Sequence, residues 1–150
     1  MKRLIKNEQG FTLVELLIVV IILGILAAVV IPQFSDASTD ARVSSLTTNL
    51  ATIRGQIEFY KMQHSGNYPN LTAPVSFADA MTKKTDANGT LNAAGKFGPY
   101  LQTIPMNPFS TTNNVTGTAG SGAAWFYDEA TGVFMADDGG SEGGTAHNLL

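Results

Sequence analysis

The stretch that decides the fold is GFTLVELLIVVIILGILAAVVIP, residues 10–32. Its residues from 11 to 31 are apolar except for one threonine, Glu15 and Gly24. A helix rises about 1.5 Å per residue, so the run is long enough to cross a hydrocarbon core of about 30 Å. We therefore predict a transmembrane helix over residues 11–32, with a carboxylate in its first turns.

The residues before this run are few and polar. They carry Lys2, Arg3 and Lys6 against one acid, Glu8. Positive charge ahead of a span favours a cytoplasmic N-terminus and places the rest of the chain outside. A secretory signal would have a shorter apolar core followed by a cleavage site of small residues. Here the small residues, such as Ala27, lie inside the run.

Glu15 is costly where it stands. An ionised carboxylate at bilayer mid-depth costs about 2.5–3.5 kcal/mol on insertion scales and less near the interface. The positive end of the helix dipole offsets part of that cost, but we still expect the carboxylate to have a partner. A plain signal anchor is the alternative interpretation, and it explains neither Gly10 nor Glu15.

The hexapeptide Gly10-Phe11-Thr12-Leu13-Val14-Glu15, with the apolar run after it, resembles the type IV prepilin signature. The resemblance implies that residues 1–10 are a leader, removed by prepilin peptidase between Gly10 and Phe11, and that Phe11 is then N-methylated. It also implies that Glu15 pairs with the Phe11 amine of a neighbouring subunit and sets the stagger between subunits. Glycine suits the cleavage position because it allows a protease close to the backbone.

Two residues weaken the apolar helix. Gly24 lowers helix propensity by about 1 kcal/mol, and Pro32 removes a backbone hydrogen bond and kinks a helix. In type IV filaments the segment between such residues is often stretched or melted. The resemblance therefore predicts that residues 24–32 are the compliant part of the stem in an assembled filament. The alternative is that a membrane helix simply tolerates both residues.

After Pro32 the apolar residues form one helical stripe. They recur at steps of three and four residues: Val43, Leu46, Leu50, Ile53, Ile57 and Tyr60. This spacing predicts an amphipathic helix over residues 33–63, which Gly66 and Pro69 then end. A coiled coil would need more than the roughly three repeats present. We therefore expect the stripe to pack against the chain's own head and not against a second helix.

Residues 64–150 are expected to form that head, with loops, a hairpin and an acidic, glycine-rich tail. Phe77–Thr82 is predicted to be a short helix, and residues 110–122 a polar, mobile connection. The fold class is predicted to be α+β. Specifically, we expect the type IV pilin fold, in which a long N-terminal helix packs on a small antiparallel β-sheet.

The hairpin is the clearest strand signal in the head. Residues 123–128 and 132–136 are rich in aromatic and apolar residues and flank a short loop that contains glycine. Such runs predict two paired antiparallel strands. We expect Trp125, Phe126 and Phe134 to lie in the core against the helix.

The head also resembles one branch of the family. Tyr68-Pro69, residues 98–101 and residues 104–109 are similar to the major, G-type pseudopilins of type II secretion, although that group usually has tryptophan where Phe109 stands. The resemblance implies a calcium ion in the C-terminal loop, because calcium takes 6–8 oxygen ligands in a flexible geometry. The candidate ligands are Asp137, Asp138, Ser141 and Glu142. The alternative is a solvated acidic tail without calcium or any other cofactor.

The composition argues against other classes of protein. Without cysteine there is no disulfide and no thiolate metal site. The formal net charge is −3 and no basic cluster follows the N-terminal residues, so we expect no nucleic-acid binding. We expect His64 and His147 to be exposed and far apart, without metal-ligand spacing, and no serine lies in a nucleophile motif. We therefore expect no enzymatic activity.

The expected function is mechanical. The chain would wait in the bacterial inner membrane, with its N-terminus cytoplasmic and its head outside, and then join a homo-oligomeric filament. The resemblance implies minor pilins or pseudopilins, prepilin peptidase and an assembly-platform membrane protein as partners. The favoured role is the major pseudopilin of type II secretion. A type IV pilin in adhesion, twitching motility or DNA uptake is the alternative, since both use the same stem.

Overall fold

A computed structural model describes most of the chain after the leader. The described residues are 10–72, 74–110, 112–142 and 145–150, without the side chains of Pro32 and Glu142. Residues 1–9 of the predicted leader lie outside the described residues. The contacts within the chain form two compact units, of which one ends at Ser38 and the other begins at Thr39.

Helix α1 runs from Leu13 to Gln63, 51 residues, and includes both predicted helical segments except for Phe11 and Thr12. It continues through Gly24 and Pro32 without a break. In the first unit its large apolar side chains are exposed, for example Leu13 at 81% and Ile31 at 68%. Among the described residues this is the helix long and apolar enough to cross a membrane, with a mean hydropathy of 3.2 over its most apolar 18 residues. The prediction of one long helix is confirmed.

In the second unit α1 turns its apolar stripe into the core. The residues of the stripe that are buried are Leu46, Leu50, Ile53, Ile57 and Tyr60, whereas Val43 is half-buried. The helix ends where Gly66, at φ 87°, donates its N–H to the carbonyl of Lys61 at 2.9 Å. Glycine adopts this left-handed conformation without steric cost, which explains why the helix stops here.

The sheet of the head has the order β1-β2-β3. Strand β2, Trp125–Tyr127, pairs antiparallel with β3, Phe134–Ala136, which confirms the predicted hairpin. Strand β1, Val115–Thr116, pairs parallel with β2. The sheet is therefore mixed and not wholly antiparallel as predicted. The segment 110–122, predicted to be a mobile connection, supplies the extra strand, whose two residues are too few to show a strand period.

The two faces of β2 have different surroundings. Trp125 and Tyr127 are buried, while Phe126 between them is half-buried on the other face, so its assignment to the core was wrong. The polar atoms of both buried rings are satisfied. Trp125 Nε1 donates to the Pro105 carbonyl at 2.9 Å, and the Tyr127 hydroxyl donates to the Pro69 carbonyl at 2.8 Å. Burial raises the pKa of Tyr127.

Two further parts complete the head. Helix α2, Phe77–Thr82, begins at Ser76, whose side chain accepts from the Asp79 N–H at 3.2 Å, and it confirms the predicted short helix. The tail forms an antiparallel pair of strands, β4 (Ser141–Glu142) and β5 (Thr145–Ala146), followed by a 3₁₀ helix, His147–Leu149. The sequence analysis predicted an acidic, glycine-rich tail here and did not predict these strands.

Gly132, in the loop of the β2–β3 hairpin, offers a test of this packing. Its φ is 75°, and a Cβ added there would lie 2.3 Å from the Tyr68 ring. Gly122 has nearly the same φ, 74°, but nothing within 4 Å of an added Cβ. A left-handed conformation costs a non-glycine residue about 1–2 kcal/mol at either position. Only at position 132 does a steric clash add to that cost.

We therefore expect Gly132→Ala to lower the free energy of unfolding by at least about 1 kcal/mol more than Gly122→Ala. The measurement is denaturant unfolding of the two variants, followed by the fluorescence of the single tryptophan, Trp125. Equal losses would contradict the packing of Tyr68 against the hairpin loop.

Candidate assembly site and C-terminal loop

Thr12 and Glu15 form a reciprocal capping box at the start of α1. The backbone N–H and the hydroxyl of Thr12 both donate to Glu15 Oε2 at 2.8 Å. In return, the Glu15 N–H donates to Thr12 Oγ1 at 3.2 Å. This arrangement satisfies donors that the first turn of a helix otherwise leaves unpaired. Sequence reasoning missed it, although the Thr-x-x-Glu spacing was available.

The capping box leaves part of the Glu15 carboxylate open. Both bonds from Thr12 fall on Oε2, and among the described residues none donates to Oε1. An exposed Glu15 can therefore accept a further donor from outside the chain without losing its cap. The geometry is compatible with the predicted pairing with an amine, and that pairing stays a prediction.

Gly10 and Phe11 precede the helix. Both are exposed, Phe11 at 81%, and nothing lies within 4 Å of a Cβ added to Gly10. The predicted cleavage bond is thus in exposed, non-helical backbone two residues before Leu13 begins α1. The roles given to Gly10 and Phe11 in cleavage and methylation stay predictions. The same holds for the compliance of residues 24–32.

Asp137, one of the predicted calcium ligands, is 8% exposed, and both of its carboxylate oxygens accept hydrogen bonds from the loop at residues 120–121. Its Oδ1 accepts from the Gly120 N–H at 2.5 Å. Its Oδ2 accepts from the N–H of Ser121 at 3.0 Å and from the hydroxyl at 2.7 Å. Burial by itself would raise the pKa of Asp137, but the hydrogen bonds from Ser121 and Gly120 outweigh it and hold the pKa below its ordinary value.

Asp138 has different partners. Its Oδ2 accepts from Asn107 Nδ2 at 2.6 Å. Its Oδ1 accepts from the Gly140 N–H at 2.7 Å and from His147 Nδ1 at 2.8 Å. The side chains of Asp138 and His147 are 5% and 3% exposed. The carboxylate is therefore surrounded by three N–H donors inside the head.

This donor set does not fit the calcium site expected from the sequence. A cation needs oxygens that converge on one point, but Asp137 and Asp138 bind different loops. Ser141 is exposed on β4, and the side chain of Glu142 lies outside the described part of the chain. Within that part, no three acidic, histidine or cysteine side chains group together as metal ligands.

Both histidines are buried, so the expectation of exposed histidines was wrong. His64 is 1% exposed and His147 is 2% exposed. His64 Nδ1 lies 2.8 Å from the Tyr60 carbonyl and Nε2 lies 2.9 Å from Thr85 Oγ1, with the ring stacked on Tyr60. The helical stripe could have revealed it, since position 64 comes four residues after Tyr60. His147 is held by the tail, whose fold the sequence did not indicate.

Comparison with known proteins identifies the family. Residues 5–31 match the protein family described as the prokaryotic N-terminal methylation motif. The chain is also 33% identical over 104 residues to type II secretion system core protein G of Pseudomonas aeruginosa, covering 69% of this chain and 70% of that protein. The chain belongs to the core protein G family. Core protein G of Vibrio cholerae is 29% identical over 69% of this chain and 67% of its own length.

The extent of each match separates the two branches considered. A fimbrial protein of Pseudomonas aeruginosa is 42% identical, but over 53 residues, which is 35% of this chain and 34% of that protein. A match of 104 residues in a chain of 150 must include part of the head, whereas one of 53 residues need not. The core protein G resemblance noted from the head residues is thereby confirmed. No solved structure matches the chain significantly.

The predicted cleavage site can be tested without disturbing the fold. Gly10→Leu should block leader removal, because a bulky side chain keeps a protease from the backbone. It should leave folding unchanged, since nothing described lies within 4 Å of an added Cβ. Gly24→Ala, equally open, is the matched control and should be processed normally. The measurement is the intact mass of the chain from cells that contain prepilin peptidase; a processed Gly10→Leu chain would refute the site.

Proposed function

We propose that this protein is the major pseudopilin of a type II secretion system, a structural subunit of a short pilus-like filament. The observation that carries the proposal is the joint presence of two matches. The methylation motif covers residues 5–31, and the likeness to core protein G extends over 69% of the chain. A filament subunit that is anchored in the membrane before assembly accounts for both.

The exposed apolar side chains of α1 support the proposal that this helix is transferred from the lipid bilayer into a bundle of helices when the filament assembles. Side chains such as Val20 at 58% and Leu23 at 58% exposure would be covered in either place. Because lipid tails are as apolar as leucine, moving a stem from lipid into a bundle brings little hydrophobic gain. A specific polar contact must then favour the filament, and Glu15 is the carboxylate that the apolar segment offers.

In this mechanism Glu15 has two partners in turn. In the precursor, Thr12 donates two hydrogen bonds to it and so reduces the cost of holding a carboxylate near the membrane interface. After removal of the leader, the new amine of Phe11 on a neighbouring subunit pairs with it. An unpaired buried charge is strongly penalised, so only one stagger between subunits satisfies every Glu15.

The head coats the filament and must stay folded without a disulfide. Arg54 on α1 contributes by donating from Nε to the Phe134 carbonyl and from Nη1 to the Leu150 carbonyl, each at 2.9 Å. These bonds tie the sheet and the end of the chain to the helix. The role proposed for this head is structural, without catalysis.

The proposal includes an order of events and partners. The precursor sits in the inner membrane with its N-terminus cytoplasmic; prepilin peptidase cuts after Gly10; an assembly-platform protein then lifts subunits into the filament, together with minor pseudopilins. The alternative, a type IV pilin, is favoured by the 42% identity to a fimbrial protein. That identity covers about a third of the chain and so carries less weight.

Deleting the gene tests the choice between the two roles. We expect proteins destined for secretion to accumulate in the periplasm and secretion to return when the full chain is supplied. The measurement is the distribution of an exported enzyme between periplasm and medium, with surface pili counted by electron microscopy in the same cells. Normal secretion with loss of pili would instead establish the pilin alternative.

The pairing role of Glu15 is tested by Glu15→Val. The variant should insert well, because it removes a charge from lipid, and should fail to assemble, because the neighbour's amine has no partner. The control is Glu58→Val, which removes a glutamate from the exposed face of α1 in the head. The measurements are the amount of chain in the membrane fraction and the yield of sheared filaments. Abundant filaments from Glu15→Val would eliminate the pairing role.

A further inference from the structure

The two ends of the C-terminal loop, residues 138–147, contact each other. The β4–β5 strands and the 3₁₀ helix after them bring His147 back to Asp138, nine positions earlier, with Nδ1 and Oδ1 2.8 Å apart. The His147 N–H also donates to the Gly140 carbonyl at 3.0 Å. The loop from 138 to 147 is therefore closed by a backbone bond and a side-chain bond together.

Gly140 permits this close approach. A Cβ added there would lie 2.6 Å from the His147 ring, closer than any side chain allows. On its other side the ring packs against Phe109, with centroids 4.0 Å apart. The imidazole thus fills the space beside Asp138 Oδ1, between the loop backbone and an aromatic ring.

Asn107 extends the closure to the rest of the head. Its Nδ2 donates to Asp138 Oδ2 at 2.6 Å and to the Ala124 carbonyl at 2.9 Å, and its Oδ1 accepts from the Phe109 N–H at 2.9 Å. Asn107 is 1% exposed. Asn107 therefore links Ala124, the residue before β2, to the buried carboxylate of Asp138 in the C-terminal loop.

A buried carboxylate needs compensation, which either a cation or several N–H donors can provide. Asp138 already has three donors on its two oxygens. The space where a cation would contact Oδ1 holds the imidazole. We propose that His147, with Asn107, closes the C-terminal loop in place of a metal ion, so that the fold of the head is independent of calcium.

The first arm of the test uses the wild-type full-length chain in detergent micelles. Thermal unfolding is followed by the fluorescence of Trp125, which lies buried in the head. We expect the same Tm in millimolar calcium, in millimolar magnesium and in excess chelator. A rise of several degrees with calcium but not magnesium, absent from Asp138→Asn, would overturn the proposal.

The second arm separates the polar pair from the packing of the ring. His147→Phe keeps an aromatic ring against Phe109 but removes the donor to Asp138. We expect it to lower Tm by roughly 5–10 °C, as for a buried polar group that loses a partner. Asp138→Asn removes the charge, and the double variant completes a thermodynamic cycle. The proposal predicts that the double variant loses clearly less than the sum of the two single losses.

Strict additivity of the two losses would mean that His147 and Asp138 stabilise the head independently, and it would overturn the pairing. The Tm of His147→Phe is also measured with and without added calcium. No recovery of Tm is expected, because Asp138 alone offers too few converging oxygens. Full recovery would show that a calcium site exists beside Asp138 and would refute independence from the ion.

Discussion

One helix has to satisfy two environments, and the rest of the structure depends on how α1 does so. From Leu16 to Ile31 it is apolar on every side, as lipid or a bundle of stems requires. From Thr39 onward it is apolar along one stripe, which the head buries. A continuous helix can carry both patterns because its backbone bonds are internal and make no demand on the surroundings. The head therefore needs to supply only one apolar surface, the face that covers Leu46 to Tyr60.

Covering that stripe leaves the head with a small core and no disulfide, so polar contacts fix its loops. Each one joins segments that are distant in sequence. Arg54 reaches the carbonyls of β3 and Leu150, Asp137 holds the loop around Gly120, and Asp138 binds Asn107 and His147. The side chains of Asp137 and Asp138 are largely buried, so the loss of a donor leaves a carboxylate oxygen unpaired, which costs more than the bond itself contributes.

The sequence was sufficient to predict elements with a recognisable pattern of apolar or aromatic residues. It was not sufficient for strands too short to show such a pattern. The three- and four-residue steps of α1 and the aromatic runs of β2 and β3 were sufficient to place them, whereas β1, β4 and β5 have two residues each and no period to recognise. Asp137 and Asp138 were predicted from the sequence to be calcium ligands, whereas in the structure both accept hydrogen bonds. Which partners they have depends on the folded loops: Asp137 and Asp138 are adjacent in sequence yet bind different segments.

The same distinction separates the start of α1 from the tail. The Thr12–Glu15 contact is local, three residues apart at a helix start, so its chemistry can be derived from spacing alone. The stems are uniformly apolar and provide no preferred stagger, since one leucine surface packs much like another. In the proposed filament Glu15 changes that, because it is the acidic residue of the apolar run 11–31 and would favour a neighbour's positive charge at its own position. Under that proposal the register of the filament depends on one residue, because an unpaired charge in the bundle is strongly penalised.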